Sequence, residues 1–158
     1  MKKLIVVCLV VWTYMGAAFA ESQVTLIIAN KNVKTKVKKI IIDEDKPIGQ
    51  LFPLQNKEEG DRSDKVYYYN GYTYDYILFS FGRSISMING VRQDKQDRED
   101  GTRLGWGVYF CATAESDEGF TWAFLPGSID DFSAEDGDVI AFVYPQNHRP
   151  DLAYCKHD

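Results

Sequence analysis

The two histidines are the first side chains to consider for chemistry, and their positions do not favour catalysis. His148 and His157 both fall in the carboxyl-terminal segment, after the last strand-like run of the chain. A nucleophilic hydrolase needs a base that neighbouring structure holds in position. The chain also has no Gly-rich phosphate loop, HExxH or CxxC motif, so no familiar catalytic or zinc motif is present.

Paired carboxylates are the second candidate for chemistry. Asp130 and Asp131 are adjacent, and Asp136 and Asp138 flank a glycine. A glycosidase needs two carboxyl groups at a defined separation across a cleft, and a calcium loop needs oxygen ligands in a fixed register. Neither pair fits such a pattern, and acids beside turn residues usually serve hydration or capping. We therefore predict that the protein is not an enzyme, has no catalytic residues, holds no metal and requires no cofactor.

A tyrosine-rich segment, residues 66–75, is the strongest local signal. Asn70-Gly71 lies between aromatic runs, which favours a hairpin with a two-residue type I′ turn. That turn pairs Tyr69 with Tyr72, Tyr67 with Tyr74, and Lys65 with Tyr76. Such a ladder can be purely structural, or it can form an aromatic platform for a glycan or a protein. Both interpretations involve the five tyrosines that share one face: Tyr67, Tyr69, Tyr72, Tyr74 and Tyr76.

The cysteines predict a covalent tether. Cys8 lies in the apolar amino-terminal run, which leaves Cys111 and Cys155 as an even pair. In an oxidising compartment such a pair can form a disulfide. The alternatives are two free thiols, or a Cys155-x-His157 fragment of a metal site, although a structural zinc site has four ligands.

The first 20 residues have the layout of a secretory signal. Lys2 and Lys3 precede an apolar run, and Ala18-Phe19-Ala20 provides a small-x-small cleavage site before Glu21. We expect residues 21–146 to form one domain and residues 147–158 a polar tail, secreted or periplasmic, with no membrane span after cleavage. The chain of 158 residues has a formal net charge of −5 and no polybasic block, so we predict no nucleic-acid partner.

The elements that must position these residues are mainly strands. Residues 24–29 and 33–42 predict a hairpin. Lys34, Lys36 and Lys38 alternate with apolar or small residues in its second strand. These lysines predict a solvated face, which protects an exposed edge strand or recruits an anionic ligand. Residues 43–54 predict a short helix whose apolar stripe is Ile48, Leu51, Phe52 and Leu54.

Further strands are predicted over residues 77–81, 84–88, 106–111, 120–124 and 139–144, and polar loops over residues 55–65 and 93–103. About seven short strands with one short helix indicate an α+β, mostly β domain.

Three segments, taken in order, carry a resemblance to a known family. They are residues 81–90 (FGRSISMING), 105–109 (GWGVY) and 133–144 (SAEDGDVIAFVY). In order and spacing they resemble the carboxyl-terminal domain of transcobalamin and intrinsic factor and its free-standing bacterial relatives. The resemblance implies a β-grasp-like mixed sheet with one short helix.

The resemblance also implies a function, namely a non-catalytic module that binds cobalamin or a related corrinoid. In the carriers this domain forms one wall of the ligand site, so a partner protein would complete the site here. The alternative is an extracellular protein or glycan interaction domain that uses the tyrosine face. The positions that match the ligand wall are Gly82, Arg83, Ser84, Ile85, Trp106 and Val108.

Overall fold

The computed structural model describes residues 21–30, 33–43, 46–94, 104–113 and 119–156. The predicted signal segment, the turn of the first hairpin and most of the loop predicted over 93–103 lie outside these ranges. The described part is mostly β, as predicted. Its strands are β1 (Glu21–Asn30), β2 (Val33–Asp43), β3 (Tyr67–Tyr69), β4 (Tyr72–Phe79), β5 (Gly82–Ile88), β6 (Val91–Arg92), β7 (Gly107–Thr113), β8 (Phe120–Leu125) and β9 (Val139–Tyr144).

The strands form two sheets. The large sheet has the order β2-β1-β9-β7-β8, and it is mixed because β1 and β9 run parallel while the other neighbours are antiparallel. The small sheet has the order β3-β4-β5-β6 and is antiparallel throughout. The main apolar core unites buried residues of both sheets, including Leu26, Ile140 and Phe142 from the large sheet and Tyr74 and Ile88 from the small one. Burial of these faces is the main favourable term in holding the sheets together.

The first hairpin is confirmed, and β2 is an edge strand. The lysine pattern is oriented differently from the prediction. Ile40 and Ile42 of β2 are buried on the core side, and Lys36 and Lys38 lie on that same side because residues two apart share a face. Val37 is instead 51% exposed. Lys36 and Lys38 therefore lie on the side of β2 that faces the core, but they are exposed. Lys38 Nζ donates to the carbonyl of Asn70.

The tyrosine hairpin has the predicted register. Tyr69 pairs with Tyr72 and Tyr67 with Tyr74, and Asn70 and Gly71 both have positive φ, 46° and 83°, as a type I′ turn requires. The predicted pairing of Lys65 with Tyr76 is wrong, because the ladder begins at Tyr67 and the backbone N–H of Lys65 donates to the Asp75 carboxylate at 3.1 Å.

The tyrosine hydroxyls hold the segment that leads from the short helix. The helix is a single 3-10 turn, Ile48–Leu51. Tyr72, Tyr74 and Tyr76 donate to the carbonyls of Leu51, Pro53 and Gln55, respectively. The hydroxyls of every second residue of β4 thus bind the carbonyls of every second residue of the segment 51–55. Ile48, Leu51 and Phe52 are buried as predicted. The prediction for Leu54 is wrong: the helix ends at Leu51, so the helical stripe does not extend to residue 54, and Leu54 is 60% exposed.

The Tyr76 hydroxyl offers a direct test of whether these hydrogen bonds stabilise the fold. It donates to Gln55 O and accepts from Gln55 N, each at 2.9 Å. Replacing Tyr76 with phenylalanine leaves both backbone groups without that partner, so we expect the free energy of unfolding to fall by about 1–3 kcal/mol. The control is Tyr68→Phe, because Tyr68 is 74% exposed. Equal urea midpoints for the two variants would show that the Tyr76–Gln55 hydrogen bonds do not stabilise the fold.

A second, smaller core lies on the other face of the large sheet. It contains Ile27, Tyr109, Trp122 and Val139, together with the two cysteines. The carboxyl-terminal segment covers it: Tyr109 Oη donates to Gln146 O at 2.6 Å, and Trp122 Nε1 donates to Asp151 O at 3.2 Å.

A disulfide between Cys111 and Cys155, with Cα atoms 5.2 Å apart, fixes the end of this segment to β7. The predicted tether is therefore confirmed. No helix in the described ranges is long and apolar enough to span a membrane.

Candidate functional site

The residues that match the predicted ligand wall do not form one site. Gly82, Arg83, Ser84 and Ile85 begin β5. Trp106 lies beyond the other end of β5, where its Nε1 donates to Val91 O at 3.1 Å. The side chain of Trp106 is 9% exposed and packs against Tyr144, with ring centroids 5.6 Å apart. Val108 is half-buried against the main core.

Arg83 is committed to the fold. The residue is 5% exposed, and its guanidinium binds the Asp130 carboxylate and donates to the carbonyl of Phe52. Burial alone would raise the pKa of Asp130, but hydrogen bonds and charge from Arg83 outweigh it and hold that pKa below its ordinary value. The expectation that Arg83 belongs to a ligand wall is therefore not supported by its position.

The neighbours of Arg83 also have structural roles. A Cβ on Gly82 would lie 2.2 Å from Ser128 Oγ, and the φ of Gly82 is +120°. Only glycine fits that combination of close approach and backbone conformation. Ile85 is 4% exposed and belongs to the main core, so it contacts protein rather than solvent.

The predicted tyrosine platform is also corrected by the structure. Tyr72, Tyr74 and Tyr76 are at most 3% exposed, and Tyr67 and Tyr69 pack half-buried against the same core. Burial raises the pKa of Tyr72 and of Tyr74. The shared face is turned toward the large sheet, so it is a structural ladder and does not present five rings to a glycan or protein.

A different site lies on the opposite face of the small sheet. Along β4, Asp75 and Ile77 alternate with the core-facing tyrosines and therefore face away from the large sheet. A cleft of about 140 Å³ opens there, lined by Ile77, Ser86 and Gln93 and by charged side chains of the loop before β3 and of the β6 end. We call it the Ser86 cleft.

Ser86 reaches this face through an irregularity in the sheet. Asp75 pairs with Met87 and Tyr76 pairs with Ile85, so Ser86 is the extra residue of a β-bulge. A bulge re-aims side chains on its strand and is frequent beside functional sites. Ile85 and Ile88 can then both enter the main core although they are three residues apart.

The hydroxyl of Ser86 has no hydrogen-bond partner in the described protein. The residue is 4% exposed, it lines the cleft, and its Oγ is the buried side-chain polar atom left unpaired. Leaving a buried hydroxyl unpaired costs about 1–3 kcal/mol. The hydrogen-bonding capacity of Ser86 Oγ is therefore open to a molecule in the cleft.

A buried ion cluster lies beside the cleft. The carboxylate of Asp75, 1% exposed, binds Lys57 Nζ at 2.7 Å and Arg92 Nη1 at 2.6 Å. Lys57 is itself fully buried in its side chain and also donates to Ser63 O at 3.0 Å. Arg92 also pairs with the Asp64 carboxylate, so two cations and two carboxylates balance in this cluster.

The electrostatics of Asp75 follow from these contacts. Burial alone would raise its pKa, but hydrogen bonds from Lys57, Arg92 and the Lys65 backbone outweigh burial and hold the pKa below the ordinary 3.8. Asp75 is therefore ionised at neutral pH, and its charge keeps both cations in place.

Two acids and one further base complete the rim. Asp64 Oδ1 lies 3.4 Å from Arg92 Nη1, and the Asp64 side chain is 49% exposed. The Asp94 carboxylate accepts from Leu104 N at 3.4 Å and from Tyr144 Oη at 3.3 Å. Arg62 is exposed.

Metal ligands are not concentrated here. Among the described residues no group of three or more His, Cys, Asp or Glu side chains could hold a metal ion. His148 is exposed and its Nδ1 lies 3.3 Å from the Asn147 amide oxygen; His157 lies outside the described residues.

Comparison with known proteins assigns no family. No family model matches the chain. Comparison with curated proteins also found no match. One solved structure that is similar to this chain is that of a candidate metal-binding protein from Ruminococcus gnavus ATCC 29149. It has 14% sequence identity and a TM-score of 0.48, and the alignment covers 80% of this chain and 99% of that one. That likeness is too distant to indicate a ligand.

Sequence reasoning missed the residues that form the Ser86 cleft. Asp75 offered a signal, because a charged residue inside a tyrosine-rich strand must face away from the tyrosines. Arg92, just after the Asn89-Gly90 turn, offered a weaker one. Ser86 offered none, because the bulge that exposes it to the cleft depends on pairing between β4 and β5.

Proposed function

We propose that this protein is a non-catalytic binding module that captures a small polar molecule in the Ser86 cleft. The observation that carries the proposal is the buried, unpartnered hydroxyl of Ser86 at a cleft lined by charged side chains. Binding sites typically combine apolar surface with a few placed polar groups. Ile77 supplies the first, and Ser86, Gln93 and Arg92 supply the second.

The size of the cleft limits the ligand. Its volume of about 140 Å³ is close to that of the engineered cavity of about 150 Å³ that holds benzene. A group as large as a six-membered ring therefore fits, and a larger ligand would place only part of itself inside. We propose export as the setting, because a signal-like amino terminus accompanies the Cys111–Cys155 disulfide.

Ser86→Ala tests the proposal by separating function from stability. Removing an unpaired buried hydroxyl should raise the free energy of unfolding by about 1 kcal/mol, while a ligand that bonds to that hydroxyl should bind more weakly. The measurements are urea unfolding and ligand-induced shifts in melting temperature with a panel of ring-sized carboxylates, alcohols and amides. Ser80→Ala, in the exposed β4–β5 turn, is the matched control. Loss of stability in Ser86→Ala, or no ligand shift with any panel member, would contradict the proposal.

Corrinoid binding, which the sequence resemblance implies, stays a separate prediction. Trp106 and Val91 line a small groove whose free volume is only about 10 Å³, so a corrin would lie against the surface there rather than inside it. Titration with cyanocobalamin, followed by tryptophan fluorescence, tests this. No change at millimolar cyanocobalamin would remove it.

A further inference from the structure

We infer that the Ser86 cleft selects small uncharged molecules, in which an amide or hydroxyl group joins a compact apolar body, over carboxylates and amines of the same size. This inference rests on the proposed function and adds the chemical class of the ligand. It follows from the balance of charge around the cleft and from the hydrogen-bonding groups that line it.

The charges beneath the cleft are already paired with one another. Lys57 and Arg92 line the cleft, and both bind the buried carboxylate of Asp75, at 2.7 Å and 2.6 Å. Arg92 Nη1 also lies 3.4 Å from the Asp64 carboxylate. These two cations and two carboxylates therefore balance, and none of them requires an opposite charge on the ligand.

The rim keeps the same balance. Of the described residues that line the cleft, the remaining charged ones are Arg62, a cation, and Asp94, whose carboxylate accepts hydrogen bonds from Leu104 N and Tyr144 Oη. A charged ligand group that enters the cleft gives up its hydration and meets as many like charges as opposite ones. Because transfer of a charge out of water without a counter-charge is costly, such a group is disfavoured there.

Ser86 and Gln93 provide the hydrogen-bonding groups for an uncharged ligand. The Ser86 hydroxyl, in a residue that is 4% exposed, has no partner among the described residues. Gln93 lines the cleft beside it, and the Gln93 backbone N–H donates to Ser86 O at 2.8 Å. A hydroxyl and a side-chain amide can each donate and accept hydrogen bonds. An amide or alcohol on the ligand can also do both, and Ile77 supplies an apolar wall for the rest of the molecule.

The test compares ring-sized compounds of similar shape by isothermal titration calorimetry at pH 7. Benzamide and benzyl alcohol are uncharged, benzoate is an anion and benzylamine is a cation. The tighter of the two uncharged compounds should bind roughly tenfold more tightly than either ion, because it loses less hydration on entering the cleft. Ser86→Ala should weaken its binding roughly fivefold by removing the hydroxyl. Ser80→Ala, the control in the exposed β4–β5 turn, should leave it unchanged.

Asp64→Asn tests whether the charge balance sets this selectivity. The variant leaves Lys57 and Arg92 with the Asp75 carboxylate alone, so the cleft gains one positive charge. Benzoate binding, measured by competition with the uncharged compound, should then strengthen about threefold, a small gain because the lost ion pair is half exposed. Glu58→Gln is the matched control, since Glu58 is exposed on the same loop and its loss changes the net charge equally. Equal benzoate affinities in the two variants would show that the charge balance does not set the selectivity.

The outcomes separate this inference from the proposed function. Tightest binding by an uncharged compound, with a loss in Ser86→Ala and none in Ser80→Ala, supports an uncharged ligand. If benzoate or benzylamine binds at least as tightly as both uncharged compounds, the chemical class is wrong while the cleft remains a binding site. If none of these compounds binds and no other ring-sized panel member does, both proposals fail.

Discussion

Replacing Asp75 with asparagine lowers the free energy of unfolding by about 3–5 kcal/mol at pH 7, the usual cost of breaking a buried ion pair from one side. The substitution leaves Lys57, whose side chain is fully buried, and Arg92 without the carboxylate that both of them bind. The amide can accept a hydrogen bond but cannot balance either charge. Urea unfolding measures the loss.

Asp64→Asn is the matched control for that experiment. Asp64 also contacts Arg92, but at 3.4 Å and with a half-exposed side chain, so its loss should cost less than about 1 kcal/mol. Similar losses in the two variants would mean that the buried cluster does not stabilise the fold as described.

The pH dependence of the Asp75 effect has a defined sign. The pKa of Asp75 in the folded protein lies below its ordinary value of 3.8, because hydrogen bonds from Lys57 and Arg92 outweigh burial. Folding therefore favours the ionised form, and its contribution is complete above about pH 4 and is lost as the pH falls through the folded pKa. The stability difference between the wild type and Asp75→Asn should be constant from pH 7 to 5 and should shrink below about pH 4.

Removing the disulfide is the second change with a large expected effect. Cys111 and Cys155 are separated by 44 residues, and loss of a native disulfide that closes such a loop costs about 2–5 kcal/mol. We expect the double variant Cys111→Ser/Cys155→Ser and the reduced wild-type protein to melt at the same lower temperature. An unchanged melting temperature in both would contradict the tether.

The same variant should also alter the surroundings of Trp122. The carboxyl-terminal segment covers this side chain, which is 5% exposed and donates to Asp151 O. When the segment is no longer tied to β7, water gains access to the indole, and its fluorescence should shift to longer wavelength before global unfolding. A wild-type emission maximum in the variant would show that the segment stays in place without the disulfide.

Features with local determinants were predictable from the sequence. Asn70-Gly71 fixes both the turn and the register of the tyrosine pairs, because few residue pairs tolerate positive φ at both central positions. Alternating or continuous apolar runs indicated β1, β7, β8 and β9. The cysteine pair was predictable because only two cysteines follow the signal-like segment.

Features that depend on distant contacts were not predictable. The sequence alone does not show that the fold holds Arg83, because its partner Asp130 lies 47 residues away in the chain. The sequence does not distinguish a tyrosine ladder from a tyrosine platform, because burial of that face depends on its packing against the large sheet. The ion cluster joins Lys57, Asp75 and Arg92 from three separate segments, and no spacing rule connects them.

The central claim, that the Ser86 cleft binds a small ligand, is tested most directly by locating the binding site. The measurement is a two-dimensional amide NMR titration with the panel of ring-sized carboxylates, alcohols and amides. We predict that at least one compound shifts the amide signals of Ile77, Ser86, Arg92 and Gln93 most strongly and in a saturable manner. Saturable shifts centred instead on Trp106 and Val108, or no saturable shift at all, would contradict the claim.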